Sequence, residues 1–152
     1  MKKVRIEKKY RKAVFIVVYR LNNHRDAEYI ILKRKKHWSG WEFPKGGVEI
    51  SEREIETARR ECMEECGLNP FKIKQFNVRG KYFYKKRFQD RPGIIGQSYS
   101  LFSCQVGFGK VQIDKREHSG FMWMSFKDAL KKLTHANQKK CLKIVNRSLN
   151  FG

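Results

Sequence analysis

Two apolar runs near the start of the chain stand out against a polar background. Ala13–Tyr19 (AVFIVVY) and Glu28–Arg34 (EYIILKR) are rich in β-branched and aromatic residues and bracket the turn-like LNNHRDA. They predict buried strands that form a hairpin or lie side by side. WSGWEFPKGG, residues 38–47, reads as a Gly/Pro-punctuated loop with a short extended piece. Ser51-Glu52-Arg53-Glu54 fits a capping box and predicts a helix running to Cys66, with Gly67 as its left-handed stop and Pro70 just beyond. FKIKQFNV (71–78) and KYFYKKRF (81–88) predict two strands about Arg79-Gly80, followed by a loop, a strand over 97–106 and a polar loop KVQIDKREHSG. GFMWMS (120–125) predicts a short strand. FKDALKKL and NQKKCLKIVNRSL then carry Ala129, Leu130, Leu133, Leu142, Ile144, Val145 and Leu149 at helical spacing. This order predicts an α/β fold with helices on both faces of a mixed sheet.

Composition narrows the partners. The 152 residues suit one domain spanning 1–152, and 40% apolar residues suffice for a core. Lys and Arg number 35 against 15 Asp and Glu, a formal charge of +20, spread from Lys2 to Arg147. Such a field favours polyanions such as nucleic acid or phosphorylated metabolites, although a lysine-rich proteome would also produce it. Cys62, Cys66, Cys104 and Cys141 form no CxxC pair, so free thiols are expected rather than a zinc site. No apolar stretch approaches the roughly 20 residues of a membrane span. The AVFIVVY run is followed by Arg20 without a small-residue cleavage site, so a cytoplasmic protein without a membrane partner is expected.

Against this basic background, Arg59–Gly67 (RRECMEECG) concentrates acid. With about 100° per residue, and Glu61 set at zero, Glu65 falls near +40° and Glu64 near −60°. Ala58, Cys62, Cys66 and Ile55 form an adjacent apolar seam. Like charges at this spacing destabilise an isolated helix by a few tenths of a kcal/mol per pair. The face therefore fits either a solvated acidic surface or hard oxygens converging on a divalent cation.

The flanking residues add a motif. Gly46, five residues, Glu52, seven residues, and then Arg60-Glu61-Cys62-x-Glu64-Glu65-x-Gly67-Leu68 resembles the Nudix box, G-x5-E-x7-R-E-U-x-E-E-x-G-U. All seven specified residues are present, and a chance match at a given start is on the order of 10⁻⁸ at ordinary residue frequencies. Cys62 stands at an aliphatic position, where a buried thiol behaves as a small hydrophobe. The resemblance implies a Nudix-type α/β/α sandwich. It also implies a hydrolase of phosphoanhydride bonds in which Glu61, Glu64 and Glu65 hold Mg²⁺ or Mn²⁺. Glu52 and Arg60 would orient them, Gly46 would permit close backbone approach, and the Lys45 or Gly46 carbonyl would contribute to a metal. One glutamate, inside or outside the box, would act as base. Glu117, in REHSGFMW, stands where several Nudix subfamilies carry a further metal-binding or base glutamate; His118 beside it reads as a surface histidine.

WEFPKGGVE, EHSGFMW and LTHANQKKCL further resemble the branch that hydrolyses dinucleoside polyphosphates such as diadenosine tetraphosphate. The first of these is shared with RNA 5′ pyrophosphohydrolases and decapping enzymes, so RNA 5′ ends remain open, as do inositol pyrophosphates. A non-catalytic phosphate-binding module is a further alternative, disfavoured because the whole metal set is retained. A polyphosphate substrate calls for cations and aromatic faces: Lys36, His37, Lys45, Lys81 and Lys86 are the candidate cations, and Tyr82 and Tyr84 share one face of a strand as candidate base platforms.

Overall fold

The computed structural model describes residues 9–86 and 88–150. The strands are β1 (Lys9–Leu21), β2 (Ala27–Arg34), β3 (Gly40–Glu42), β4 (Lys45–Gly47), β5 (Lys72–Phe83), β6 (Ile94–Gln105) and β7 (His118–Met124). The helices are α1 (Glu54–Cys66), α2 (Phe126–Lys132) and α3 (Ala136–Leu149). The main sheet runs β3-β2-β1-β6-β5, with β4 added to β1 and β7 added to β2. β1 and β6 are parallel while β1–β2, β2–β3, β2–β7, β1–β4 and β5–β6 are antiparallel, so the sheet is mixed.

Strand alternation divides the core. Val14, Ile16 and Val18 of β1 pack with Ala58, Cys62 and Cys66 of α1 on one face. Phe15, Val17 and Tyr19 pack with Ala129, Leu133, Leu142 and Val145 of α2 and α3 on the other. Because β1 is covered on both sides, its apolar run is continuous rather than alternating. The result is the expected α/β/α sandwich. All four cysteines are free and buried. Among the described residues, no helix is long and apolar enough to cross a membrane.

Three local expectations need correction. Ser51 is not the helix cap. It adopts φ +67°, and the helix begins after Arg53, whose N–H donates to Glu56 at 3.1 Å. Glu52 is unavailable for capping because it accepts from Arg60 and Thr57. The pair of strands predicted around Arg79-Gly80 is one strand, β5, with a register shift between Gln75 and Arg79. Gly80 lies under the Tyr99 ring, which a Cβ would strike, so this glycine serves a close approach rather than a turn. The polar loop before β7 ends earlier than expected, and His118 and Ser119 belong to the strand. The Gly67 stop holds: φ is +70°, and its N–H reaches the Met63 carbonyl at 2.8 Å.

Candidate active site

The buried positions of α1 are Thr57, Ala58, Glu61, Cys62, Glu65 and Cys66. On the angular scale above they span about −40° to +140°. Glu61 and Glu65 therefore lie within the buried arc, not at its margin, whereas Ile55, assigned to the apolar seam, is 40% exposed. Glu64 falls outside the arc, and its side chain is 56% exposed. The helix thus drives two carboxylates into the sheet.

β4 receives them. It pairs with β1 through Val14↔Gly46 and Phe15↔Lys45, so the Gly46 position faces α1. A Cβ on Gly46 would overlap the carboxyl group of Glu61, and only glycine lets that helix approach so closely. Glu65 accepts from the Lys45 N–H at 3.0 Å. Arg60 organises the outer side. It holds Glu52 through Nε and Nη2 at 2.8 and 2.9 Å, the Gly47 carbonyl at 2.9 Å, Glu61 at 2.7 Å and Glu64 at 3.2 Å.

A second group lies on the inner side. The alternation that turns Leu32 toward α1 also brings Arg34 there, and β3 places Glu42 opposite Leu32. The Glu42 carboxylate is wholly buried. It meets His118 Nε2 at 2.7 Å, Arg34 Nη1 at 3.3 Å and Lys45 Nζ at 3.3 Å. Arg34 Nη1 also reaches Glu117 at 3.4 Å, and carboxylate oxygens of Glu65 and Glu117 lie within 4.8 Å of each other and of a His118 ring nitrogen. His118 is fully buried, so its reading as a surface histidine is wrong. Pairing of β7 with β2 sets it opposite Arg34 and closes the ring beneath the sheet.

Electrostatics separate these carboxylates. Burial alone would raise Glu42, but Lys45, the His118 hydrogen bond and Arg34 outweigh it and hold the group at about 2. The Arg60 hydrogen bond likewise holds Glu52 at about 2. Burial pushes Glu61 up to about 7 despite Arg60, with Glu64 and Glu117 adding repulsion. Burial, then Glu42, Glu61 and Glu117, drive Glu65 well above the usual carboxylate range. Glu42 and Glu52 are neutralised by fixed cations of the chain, while Glu61 and Glu65 face a local excess of negative charge. A divalent cation would relieve that excess, and hard carboxylate oxygens are suitable donors for one.

The cluster opens into a cavity of about 740 Å³ lined by Glu61, Glu117, Lys45 and Gly46 and, farther out, by His37, Trp38, Tyr82, Tyr84, Lys86 and His135. Its size is that of a small-molecule site. Tyr82 donates to Gln97 at 2.6 Å and accepts from Lys45 Nζ at 3.4 Å, which fixes its ring at the wall. His37, at φ +72°, stacks on Phe88 with centroids 4.2 Å apart and pairs with Asp90. Two expected contributors are elsewhere. Lys81 alternates to the other face of β5, its ammonium 5.0 Å from the Tyr10 ring, and Lys36 pairs with Asp90 at 3.9 Å outside the cavity lining. Glu42, Arg34, Trp38, His135 and Asn137 were not anticipated. The one available signal was a charged Glu42 between the aromatics Trp41 and Phe43.

Residues 9–143 match the family model described as the NUDIX domain. An RNA pyrophosphohydrolase of Histophilus somni (strain 2336) is 30% identical over 113 residues, covering 66% of this chain and 59% of that protein. The chain thus spans about three-fifths of that relative's length. An RNA pyrophosphohydrolase of Helicobacter pylori (strain P12) is 27% identical over 134 residues, covering 84% of this chain and 86% of that one. Among solved structures, a Caenorhabditis elegans Ap4A hydrolase in a binary complex superposes with TM-score 0.74 at 23% identity, covering 93% of this chain and 99% of that one. The NUDIX domain of Shewanella oneidensis NrtR, complexed with ADP ribose, gives 0.72 at 16% identity, covering 93% and 90%. At these identities the structural likeness speaks for the fold. Together with the match along nearly the whole described chain, it identifies this protein as a member of the NUDIX family.

Proposed function

We propose that the protein is a Mg²⁺- or Mn²⁺-dependent pyrophosphohydrolase whose substrate is a nucleoside polyphosphate, with a bis(5′-nucleosyl) tetraphosphate as the leading candidate. The observation that carries this reading is the continuity of one cavity. Glu61 and Glu117 line it together with Tyr82, Tyr84, Trp38 and Lys86, and a carboxylate oxygen of buried Glu65 lies within 4.8 Å of one of Glu117. Glu61, Glu64, Glu65 and Glu117 would hold the cation, aided by a backbone carbonyl of Lys45 or Gly46. A cation bound there would neutralise phosphate charge and acidify water, the chemistry a phosphoanhydride requires.

The chain's own residues supply the rest. Arg60, clamped by Glu52, fixes the rotamer of Glu61 and keeps Glu64 nearby. Burial raises Glu61 in the cation-free protein, so a bound cation would favour its ionised form by offsetting that burial. Lys45, with its ammonium on the cavity wall between Glu42 and Tyr82, offers charge to a phosphate. The aromatic end suits a base, for which stacking contributes about 1–3 kcal/mol. His37 and Lys86 also line the cavity.

A second reading is RNA 5′-end hydrolysis, favoured by the names of the two bacterial relatives and by the +20 charge. A substrate panel with Mg²⁺ separates the two: diadenosine tetraphosphate, 5′-triphosphate RNA, capped RNA, 8-oxo-dGTP, ADP-ribose and an inositol pyrophosphate. Turnover of diadenosine tetraphosphate well above the others is expected. Efficient release of pyrophosphate from RNA without cleavage of the dinucleotide would select the second reading. Full Mg²⁺-dependent activity in both Glu64→Gln and Glu65→Gln would remove the metal assignment itself.

A further inference from the structure

His118 is fully buried, yet only half of its hydrogen-bonding capacity is used. Nε2 lies 2.7 Å from Glu42 Oε2, while Nδ1 is buried and lacks any hydrogen-bond partner. An ionised carboxylate only accepts, so Nε2 donates to Glu42, and in the neutral imidazole Nδ1 presents a lone pair. Leaving such a group unpaired in the interior is costly. A ring nitrogen of this histidine and carboxylate oxygens of Glu65 and Glu117 all lie within 4.8 Å of one another. A carboxylate bonded to one imidazole nitrogen is the usual outer support of a histidine whose other nitrogen ligates a metal. Arg34 strengthens the frame by bridging Glu42 and Glu117 at 3.3 and 3.4 Å.

We propose that His118 Nδ1 is a nitrogen ligand to the cation held by Glu65 and Glu117, with Glu42 as the partner that fixes its tautomer. The inference rests on the reading of this cluster as a divalent-cation site. It changes the chemistry of that site. An all-oxygen set suits Mg²⁺, whereas an imidazole shifts preference toward Mn²⁺ and more strongly Co²⁺, following the ordinary affinity order of first-row metals. Glu42 then acts as a positioning residue: it touches the histidine and not the substrate.

The test uses the untagged 152-residue chain loaded with MnCl₂, prepared with natural-abundance histidine and with ¹⁵N-histidine. Pulsed electron paramagnetic resonance should show ¹⁴N coupling to Mn²⁺ that is replaced on ¹⁵N labelling and is lost in His118→Gln. In parallel titrations, Co²⁺ affinity should fall about 10–100-fold in that variant, with a much smaller change for Mg²⁺. If His118→Gln does not fold, the combined His24→Gln, His37→Gln, His135→Gln variant leaves His118 as the sole histidine, and the coupling should persist there. Saturable Mn²⁺ binding without nitrogen coupling overturns the ligand assignment and leaves the carboxylate site standing. Absence of saturable Mn²⁺ binding overturns both.

Discussion

Two charge networks flank the same pair of carboxylates and are built in opposite ways. The outer one is local. Arg60 gathers Glu49, Glu52, Glu61 and Glu64, all within one helix and the loop before it. The inner one centres on Glu42 and draws Arg34 from β2, Lys45 from β4 and His118 from β7. The first is partly bathed in solvent, so water can replace any lost partner. The second is almost wholly buried, so each member depends on the others. Local networks of this kind hold a side chain in position; buried ones also hold strands together.

The largest contrast should appear in stability. Glu42→Leu leaves Arg34 and Lys45 without their buried counter-charge, and breaking such a pair costs about 3–5 kcal/mol. Arg60→Ala removes partly exposed pairs, typically about 0–1 kcal/mol, but should weaken Mn²⁺ binding by about 10–100-fold through loss of Glu61 orientation. Urea unfolding and Mn²⁺ titration of both variants would show the crossover. Equal loss of stability in the two would mean that the buried network is not the structural one.

A smaller effect separates the networks by pH. Glu42 and Glu52, both held at about 2, stay ionised through the neutral range, while Glu61 titrates near 7. Because its folded pKa is raised above the ordinary value, the folded protein binds a proton that the unfolded chain has released. Stability of the cation-free protein should therefore decline as pH rises from about 4.5 through 7. Cation affinity should move the other way, since binding displaces that proton. Below pH 7 the expected change is about tenfold per unit for one proton displaced. Isothermal titration with MgCl₂ at pH 6, 7 and 8 measures it, and a flat profile would remove Glu61 from the group facing the cation.

The networks also differ in how far they were legible. Gly46, Glu52, Arg60, Glu61 and Glu65 stand at fixed spacings on one loop and helix, and helical periodicity alone brings the carboxylates together. Gly67 carried its own stop signal. Ser51 misled because its local pattern suits a cap, while Glu52, two residues before the helix, was already committed to Arg60. Glu42 and His118 escaped because their burial depends on strand register, Leu32↔Glu42 between neighbouring strands and Arg34↔His118 across most of the chain. Neither pairing leaves a trace in nearby residues. A charge between Trp41 and Phe43 reads equally well as a solvent-facing strand position until the face opposite Leu32 is known.

The smallest expected effect tests the outer wall of the cavity, where the two faces of β5 differ. Tyr82 and Tyr84 line the cavity, whereas the other contact expected from this stretch is their odd-numbered neighbour, Lys81. Its ammonium lies over Tyr10 on the other side of β5, while Lys86, beyond the strand's end at Phe83, lines the cavity. Removing Lys81 subtracts one of 35 cationic residues from the general field and leaves the cavity unchanged. Lys86→Ala should raise KM for diadenosine tetraphosphate by up to about fivefold, the upper end for an exposed ion pair. Lys81→Ala should stay within about twofold, and raising the salt should erase that residue of effect because only long-range attraction is involved. If Lys81→Ala instead equals or exceeds Lys86→Ala at high salt, the substrate crosses the edge of β5 and contacts the Tyr10 face, and the two sides of that strand are not functionally distinct.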